Sequence, residues 1–311
     1  MSLSFENNKK GTNLAVIDGG QFDDKIISVF EPDAKIDQKK TFDQINLTEG
    51  KFKLYPSNHE RNCIFITGQS GSGKSYVIKD FIINYKDKFP NRDIYFFSQK
   101  VKDETVDEVK DKFHRVKIDD SLITHPIDPD EFKECLVVFD DVENLPKKIK
   151  EHLFWVRDYL LEIKRQDKVS VIIVNHLPTG LEIKKVLNEC NVIVFFLANW
   201  NRGLKYLLYE YLGLDRDDLK KLRKAKTRAS YYFKMYPNVV MNDHQMWVRK
   251  VEDDEDTKIR LVEEKDQKKG GNKKDDENEK LEYKTCKSCG ANYLNFDSHK
   301  KTLHHLASLD N

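Results

Sequence analysis

The sequence predicts an α/β fold with a mainly parallel central sheet flanked by helices. Five short runs rich in Val, Ile and Phe carry apolar residues at successive positions, a pattern typical of strands that are covered on both faces. Stretches with helical periodicity separate several of these runs, and strand–helix alternation requires crossovers between parallel strands. With 311 residues, 39% of them hydrophobic, the chain can build one sizeable core and a smaller second unit.

The apolar runs mark the five predicted strands. In chain order they are NCIFITG at 62–68, RDIYFFS at 92–98, CLVVFDD at 135–141, VSVIIVN at 169–175 and NVIVFFLA at 191–198. Helical patterns lie between them over Ser75–Asp87, Lys147–Arg165 and Thr179–Asn188. We therefore predict one main domain over residues 51–250. Residues 1–50 are more polar and are predicted to form an N-terminal extension without chemistry of its own.

The composition changes after residue 250. Residues 251–282 carry charges of both signs, a Gly-Gly pair and few apolar side chains, so this segment cannot bury enough surface to fold alone. We predict a charged disordered linker there, followed by a small separate unit over 283–311.

Charge and hydropathy argue against two classes of protein. The N-terminal residues MSLSFENNKKG have no apolar core, so a secretory signal is not expected. The longest apolar run, Val192–Ala198, is far too short to cross a bilayer, which predicts a soluble protein without a membrane span. The formal net charge is +1, so contacts with nucleic acid would have to come from local basic patches.

A glycine-rich segment joins the first predicted strand to the first predicted helix. It fits the pattern G-x-x-x-x-G-K-[ST] with Gly68, Gln69, Ser70, Gly71, Ser72, Gly73, Lys74 and Ser75. Glycines let the backbone wrap closely around phosphates, and the N-terminus of the next helix favours anions. In such a loop the lysine reaches the β- and γ-phosphates, and the Ser hydroxyl ligates Mg²⁺. The segment predicts binding of ATP and Mg²⁺, and a plain glycine-rich turn is the alternative.

Carboxylates follow the third predicted strand. A carboxylate at the carboxyl end of a parallel strand lies at the sheet edge beside the phosphate loop. We predict that Asp140 holds the Mg²⁺ shell and that Asp141 orients or deprotonates the attacking water, with Glu143 as a second candidate for that base. An Asp that caps a helix is the alternative interpretation.

Polar and basic residues near the fourth strand complete the predicted site. Asn175 ends that strand and is predicted to sense the γ-phosphate or hold the water, although a turn-forming Asn is the alternative. Arg165 precedes the strand and is predicted to be an arginine finger that reaches a neighbouring subunit's nucleotide. An exposed Arg at a helix C-terminus is its alternative interpretation. Arg157 and Arg228 are fallback candidates for the finger.

The order of these motifs resembles that of the FtsK–HerA superfamily of P-loop ATPases. The residues that carry the resemblance are GQSGSGKS at 68–75, LVVFDD at 136–141, and an Arg shortly before a strand that ends in Asn. The short domain and the paired aspartates resemble the poxvirus-type DNA-packaging ATPases of large DNA viruses and virophages, over Arg61–Val248. The resemblance implies a P-loop NTPase fold of the ASCE/RecA-like type. It also implies ATP hydrolysis coupled to translocation of double-stranded DNA, by which a viral genome is packaged.

The resemblance also implies residue roles and partners. Lys74 and Ser75 would bind phosphate and Mg²⁺, Asp140 would be the metal-side acid, Asp141 the catalytic acid, Asn175 the sensor and Arg165 the finger in trans. Many relatives have Gln as the sensor and Glu as the second acid, so this chain departs from the pattern at Asn175 and Asp141. A homo-oligomeric ring, pentameric or hexameric, is implied, acting in the host-cell cytoplasm at the site of virus assembly or in the virion.

Cysteines and histidines cluster near the C-terminus. Cys286, Cys289, His299 and His304 have a spacing that suits tetrahedral Zn²⁺, with His305 as the alternative fourth ligand. The gap between the Cys and His pairs is shorter than in a C₂H₂ finger, so a compact zinc finger is predicted over 283–311. A disordered tail is the alternative. The unit is basic, which suits phosphate contacts, and it equally suits docking to a capsid protein.

A basic stretch lies near the end of the main domain. Its cations are Lys220, Lys221, Arg223, Lys224, Lys226 and Arg228. One interpretation is that this stretch faces DNA. The favoured interpretation is that acidic residues begin a helix here and the cations end it, as the helix dipole prefers.

Two other functions stay open on the sequence. A helicase-like P-loop ATPase should show DExH/D after the third strand, where this chain has DDVE. A non-catalytic adaptor for DNA or a capsid would bind ATP without turning it over.

Overall fold

A computed structural model describes residues 2–5, 10–31, 40–58, 61–225, 227–249, 284–285 and 292–293 of the chain. The chain divides into two compact units, Met1–Val251 and Glu252–Asn311. The first unit contains two β-sheets, and the larger one positions the residues predicted to be functional.

The larger sheet has ten strands and a parallel half. Its parallel strands, in chain order, are β6 (Cys63–Thr67), β7 (Ile94–Ser98), β8 (His114–Lys117), β9 (Leu136–Asp140), β10 (Ser170–Asn175) and β11 (Val192–Phe195). They lie in the order β11-β6-β10-β9-β7-β8. Five of them are the predicted strands, so the predicted α/β fold is confirmed. The glycine-rich segment follows β6, and Asp140 is the last residue of β9. Only β10 lies between these two strands.

The other half of the larger sheet is antiparallel and was not predicted. It consists of β12 (Ser230–Phe233), β13 (Val239–Asn242), β14 (Gln245–Val248) and the edge strand β4 (Gln44–Asn46). The first strand of this half, β12, pairs antiparallel with β11, and Ser230 lies opposite Phe195. The start of β12 therefore lies at the carboxyl edge of the parallel strands.

The N-terminal residues form a second, four-stranded antiparallel sheet. Its strands are β1 (Ser2–Ser4), β2 (Thr12–Asp18), β3 (Ile26–Phe30) and β5 (Lys51–Leu54), in the order β1-β3-β2-β5. Leu14, Ile27 and Phe52 are buried in the same apolar cluster as Ile64 and Ile66 of β6. The N-terminal sheet thus packs on the core of the first unit.

Helices cover both faces of the parallel strands. They are α1 (Lys74–Lys88), α2 (Ser121–Thr124), α3 (Lys147–Glu162), α4 (Leu181–Glu189), α5 (Arg202–Tyr206) and α6 (Arg216–Lys224). A π-helical segment, Leu207–Tyr211, follows α5, and short 3₁₀ segments cover Val106–Lys112, Pro129–Glu131, Val142–Asn144 and Leu197–Asn199. The first and third predicted helices match α1 and α4 within two residues. The second ends at Glu162, because the chain then turns back toward β10 through Lys168, whose φ is +56°.

The parallel strands are apolar on both faces because two clusters enclose them. Ile64 and Ile66 of β6 pack on one side with Phe81 of α1, whereas Phe65 packs on the other side with Leu153 of α3. Burying one such side chain contributes roughly 1.5–3 kcal/mol. Successive apolar residues are thus explained by burial on both sides, as the sequence pattern predicted.

The second unit is described only at two short strands. Lys284–Thr285 pairs antiparallel with Asn292–Tyr293. The predicted zinc ligands Cys286, Cys289, His299 and His304, and the alternative His305, lie outside the described residues, as does the predicted linker. Across the described residues, no helix has both the length and the apolar character needed to span a membrane.

Candidate nucleotide-binding site

The glycine-rich segment forms a tight loop between β6 and α1. Gly71 and Gly73 have φ of +76° and +113°, a region that side chains with a Cβ rarely adopt. At Gly68 the reason for glycine is space, since a Cβ would come within 2.7 Å of the Phe196 ring and of Ser72 Oγ. These glycines therefore allow a backbone path that other residues would obstruct.

The loop ends in an uncapped helix N-terminus. Helix α1 begins at Lys74 without a side-chain cap hydrogen bond and without an acidic residue in its first turn. Its first N–H groups have no partner within the helix, and the helix dipole adds partial positive charge there. This arrangement suits a bound anion such as a phosphate group.

Lys74 is buried beneath the loop. Its ammonium donates hydrogen bonds to the Gly68 carbonyl at 2.7 Å and to the Gln69 carbonyl at 3.3 Å, and lies 3.3 Å from His176 Nδ1. Burial lowers the pKa of Lys74, and the charges of Asp141 and Asp140 oppose that effect. The cation is held by neutral carbonyls, which a phosphate oxygen would replace with a stronger charged partner.

Asp140 ends β9 and is 5% exposed. It accepts a hydrogen bond from Ser98 Oγ at 3.1 Å, and Lys100 Nζ lies 4.0 Å from it. Burial raises the pKa of the Asp140 carboxyl, as does the neighbouring charge of Asp141, whereas Lys100 lowers it. A divalent cation bound to Asp140 would offset both the cost of burying its carboxylate and its repulsion by Asp141.

Asp141 has an uncommon backbone conformation and lies beside Lys100 and His176. Its φ is +52°, an uncommon value for a residue with a Cβ. Its carboxylate lies 2.9 Å from Lys100 Nζ and 3.1 Å from His176 Nε2, although the His176 pair lacks the geometry of a hydrogen bond. Strained residues of this kind persist where the surroundings hold them, frequently at functional sites.

The predicted magnesium ligand Ser75 lies in the first turn of α1. Its hydroxyl donates a hydrogen bond to Asp103 Oδ2 at 3.0 Å, so its oxygen lone pairs stay available to a metal ion. Asp103 itself accepts backbone hydrogen bonds from Thr105 and Val106. Across the described residues, no group of three or more His, Cys, Asp or Glu is arranged to hold a metal. Mg²⁺ in nucleotide sites typically needs fewer protein ligands than that, because phosphates and waters supply the rest.

Buried polar atoms without partners concentrate at this edge of the sheet. In the part of the chain that the structure describes, seven buried side-chain N and O atoms lack a hydrogen-bond partner. Four of them are Thr67 Oγ1, Ser72 Oγ, Asp141 Oδ1 and Glu143 Oε1. Each such atom costs roughly 1–3 kcal/mol. Phosphate oxygens, water and a metal ion would satisfy them, so the residues present fit MgATP.

Asn175 lies at the end of β10, next to the loop. It is opposite Thr67 in the parallel register, and its carbonyl accepts a hydrogen bond from the Gly68 N–H at 3.2 Å. The backbone of Asn175 therefore anchors the start of the loop, a contact that the sequence did not reveal.

The structure separates the three candidate arginines. Arg165 forms an ion pair with Glu189 at the opposite, amino edge of the sheet, where it shares a cleft of about 310 Å³ with Arg61. Arg157 is buried in α3, paired with Asp158, and its guanidinium stacks on Phe154.

Arg228, by contrast, is exposed beside the loop. Its Cδ lies 3.9 Å from where a Cβ on Gly73 would stand. Among the three, Arg228 is the arginine near the chain's own nucleotide loop.

Sequence reasoning missed three side chains that the structure brings to this site. Ser98 and His176 each lie where a predicted parallel strand ends, which is the signal that should have marked them. Lys100 gave no such signal, because it follows Ser98 through an irregular segment.

Comparisons with known proteins identify a viral relative. The comparison with protein families found no model that matches the chain. Uncharacterized protein V3 of Sputnik virophage is 32% identical over 248 residues, which cover 76% of this chain and 95% of V3.

Several solved structures have a loosely similar fold. One is B204, the DNA-packaging ATPase from Sulfolobus turreted icosahedral virus, at 15% identity and a TM-score of 0.39, with 58% of this chain and 95% of B204 covered. Another is the conjugation coupling protein TcpA of pCW3 in its monomer form with ATPγS, at 13% identity and a TM-score of 0.40, with 80% and 81% covered. Because these TM-scores are low, the fold assignment rests on the strand order and loop of this chain itself.

Proposed function

The chain belongs to the family of the virophage protein V3, and on that premise we propose that it is an ATP-driven double-stranded DNA translocase that packages a viral genome. One observation carries the ATPase part. Lys74 is buried under a positive-φ glycine loop at an uncapped helix N-terminus. Asp140, which ends β9, and Asp141, which follows it, lie nearby. The packaging part rests on the order of the motifs and on the viral source of V3.

The loop residues Gly68–Ser75 bind the triphosphate. Backbone N–H groups at the start of α1 contact phosphate oxygens, and the Lys74 ammonium moves from the Gly68 carbonyl to the β- and γ-phosphates. The Ser75 hydroxyl and the Asp140 carboxylate would hold Mg²⁺. Bound there, Mg²⁺ would neutralise charge that develops on the phosphate oxygens.

Hydrolysis is an in-line attack of water on the γ-phosphorus. The new P–O bond forms as the bond to the β–γ bridging oxygen breaks, and the proton of the water passes to a carboxylate. Asp141 takes that role, oriented by Lys100 and His176. Glu143 is the second candidate, because burial and the charge of Asp141 raise its pKa and so make it a better proton acceptor. Asn175 contacts the γ-phosphate or the water.

A neighbouring subunit completes the site in a homo-oligomeric ring, pentameric or hexameric. Arg165 lies far from the chain's own loop, which is compatible with a finger that acts in trans. Arg228 is the alternative that acts within the chain. Substituting each with Lys and Ala and mixing the variants with Lys74→Ala subunits distinguishes them. A finger in trans restores turnover in mixed rings, and a finger in cis does not.

The C-terminal unit binds Zn²⁺ through Cys286, Cys289, His299 and His304 or His305. The two short paired strands flank residues 286–291 in the sequence, which supports a compact finger. It docks a capsid protein or DNA during assembly, in the host-cell cytoplasm or the virion. One zinc per chain by atomic spectroscopy, lost in Cys286→Ser with Cys289→Ser, is the expected result. A chain that retains its zinc in that double variant would contradict the assignment.

ATP turnover with and without DNA tests the proposal. We expect Mg²⁺-dependent hydrolysis that double-stranded DNA stimulates and that Lys74→Ala abolishes. The matched control is Lys148→Ala, an exposed lysine of α3. Hydrolysis that ignores DNA would exclude a translocase, and tight ATP binding without turnover would favour a non-catalytic adaptor.

A further inference from the structure

One face of the first unit carries a concentration of cations outside the nucleotide site. We call it the basic surface and define it by the exposed residues Arg202, Lys205, Arg216, Lys220, Arg223 and Lys224. They come from α5 and α6, which the π-helical segment Leu207–Tyr211 joins in sequence. π-helical turns occur frequently at functional sites.

The cations of this surface are not compensated. None of the six forms an ion pair with any residue that the structure describes. Of the nearby acids, Asp215 caps α6, Asp218 is buried against Trp247 and Arg249, and Asp217 is exposed in the first turn of α6. Glu210 lines the same cleft as Arg202 and leaves a clear excess of positive charge.

The helix dipole does not account for this arrangement. Arg223 and Lys224 lie in the last turn of α6, where cations are favoured. Arg202 and Arg216, however, are the first residues of α5 and α6, where the dipole disfavours a cation. The interpretation favoured on sequence is confirmed for α6, which acidic residues begin and cations end, but it does not account for Arg202 and Arg216.

The shape of the surface fits an extended anionic ligand. Two clefts of about 490 and 320 Å³ adjoin, and both are lined by Tyr209 and Arg216. Arg223 stacks on the Trp200 ring at 4.1 Å, which fixes the direction of its N–H donors. Tyr206 adds a hydroxyl on a side chain that is half exposed. Arg, Lys and Tyr are the donors that contact DNA phosphates.

We propose that the basic surface binds the phosphate backbone of double-stranded DNA. The inference rests on the proposed function and adds where the DNA is held. An acidic protein surface would present carboxylates at irregular spacing. A duplex offers regularly spaced phosphates along a groove, which suits two adjoining clefts with six cations.

A short segment joins this surface to the nucleotide site. Residues 177–180 follow Asn175 and His176, and Pro178 and Thr179 lie 3.1 and 3.4 Å from where a Cβ on Gly203 would stand. Gly203 lies beside Arg202 in α5.

Salt-dependent DNA binding by the full chain tests the proposal. The probe is a random-sequence duplex, and the variants are Arg202→Gln with Lys205→Gln and, separately, Lys220→Gln with Arg223→Gln. We expect each double variant to bind at least tenfold more weakly at low salt. The slope of log affinity against log salt should fall by about 2, since each lost phosphate contact removes roughly 0.9.

Matched controls make the result specific. Lys110→Gln with Lys148→Gln removes the same charge from exposed sites elsewhere and should leave the slope unchanged. DNA-free ATP turnover should persist in all variants, which also shows that they are folded. If a double variant fails to fold, the single variant Arg202→Gln should lower the slope by about 1.

Three outcomes would overturn the proposal. They are an unchanged slope, an equal loss in the control pair, and loss of binding to polyglutamate without loss of binding to DNA. The last of these would assign the surface to an acidic protein. If DNA fails to stimulate the wild-type ATPase while the variants still lose DNA binding, the translocase proposal fails and the basic surface stands.

Discussion

The two edges of the parallel sheet use their cations differently. At the amino edge, Arg61 donates to the carbonyls of Leu160, Leu161 and Val169, and Lys234 donates to those of Leu187 and Asn188. These cations close the ends of α3 and α4. At the carboxyl edge, Lys74 donates to two loop carbonyls and lies against His176, and four buried polar atoms lack hydrogen-bond partners. Buried polar atoms without hydrogen-bond partners therefore indicate a ligand site better than the presence of cations does.

The largest expected effect comes from removing the loop lysine. Lys74→Ala should weaken binding of MgATP by about a hundredfold or more, because truncating one partner of a buried charge pair costs roughly 2–5 kcal/mol. Isothermal titration with a non-hydrolysable ATP analogue measures this change. Stability without nucleotide should fall little, since Lys74 then contacts two carbonyls and His176 and forms no ion pair with an acid that the structure describes. An affinity of Lys74→Ala for MgATP within threefold of wild type would show that the carboxyl edge is not the ligand site.

The matching substitution at the amino edge is Arg61→Ala. It should lower the free energy of unfolding by about 1.5–3 kcal/mol, the range for hydrogen bonds to a charged group. Denaturant unfolding measures the loss. Affinity for MgATP should stay unchanged, so a large loss of affinity with little loss of stability would show that the amino edge is not merely structural.

The variant Asp140→Asn tests the comparison through thermal stability with and without nucleotide. The change removes a buried charge that its neighbour Asp141 repels, so the nucleotide-free chain should melt a few degrees higher than wild type. Stabilisation by MgATP should disappear. A variant that melts lower without nucleotide would show that the charge of Asp140 is already compensated.

The stability difference between wild type and Asp140→Asn should also depend on pH. Burial raises the pKa of Asp140 above its ordinary value of 3.8, so folding favours the protonated form. The stability that the protonated Asp140 carboxyl contributes is present below its unfolded-state pKa and is lost as pH rises through its folded-state pKa. The excess stability of Asp140→Asn should therefore be largest at neutral pH and shrink as pH falls toward 4. Thermal melts between pH 4 and pH 7.5 measure it, and a difference that grows in acid would contradict the account.

The smallest effect is expected at Lys100, whose ammonium pairs with the acids that follow β9. Because Lys100 competes with Mg²⁺ for those carboxylates, Lys100→Gln should lower the Mg²⁺ concentration needed for nucleotide binding by about two- to fivefold. That range corresponds to a half-exposed ion pair worth up to about 1 kcal/mol. Titration of Mg²⁺ at fixed nucleotide measures it, with Lys148→Gln as the control. A higher Mg²⁺ requirement would mean that Lys100 helps to hold the ligand.

The sequence predicted the strands and the loop that have a recognisable pattern over a few consecutive residues. The parallel strands β6, β9 and β10 are apolar because both faces are buried, and the loop at 68–75 needs glycines at fixed positions. The antiparallel strands β12 to β14 are short, and β14 pairs with β4 across about two hundred residues. Long-range pairing of that kind leaves little trace in a local pattern.

The residues of the candidate site also fall into two groups, those within a sequence motif and those that strand order brings together. Lys74 and Asp140 follow from motifs, whereas Arg228 reaches the loop only because β12 pairs antiparallel with β11. His176 and Lys100 come to Asp141 on segments that follow β10 and β7. Their meeting depends on strand order, which hydrophobic patterns do not specify.

A crystal structure with Mg²⁺ and a non-hydrolysable ATP analogue tests the central claim most directly. The account predicts the triphosphate within the loop 68–75, with Lys74 Nζ released from the Gly68 carbonyl and bound to phosphate. The metal should lie between Ser75 and Asp140. A triphosphate bound elsewhere, with Lys74 still on the Gly68 carbonyl, would contradict it.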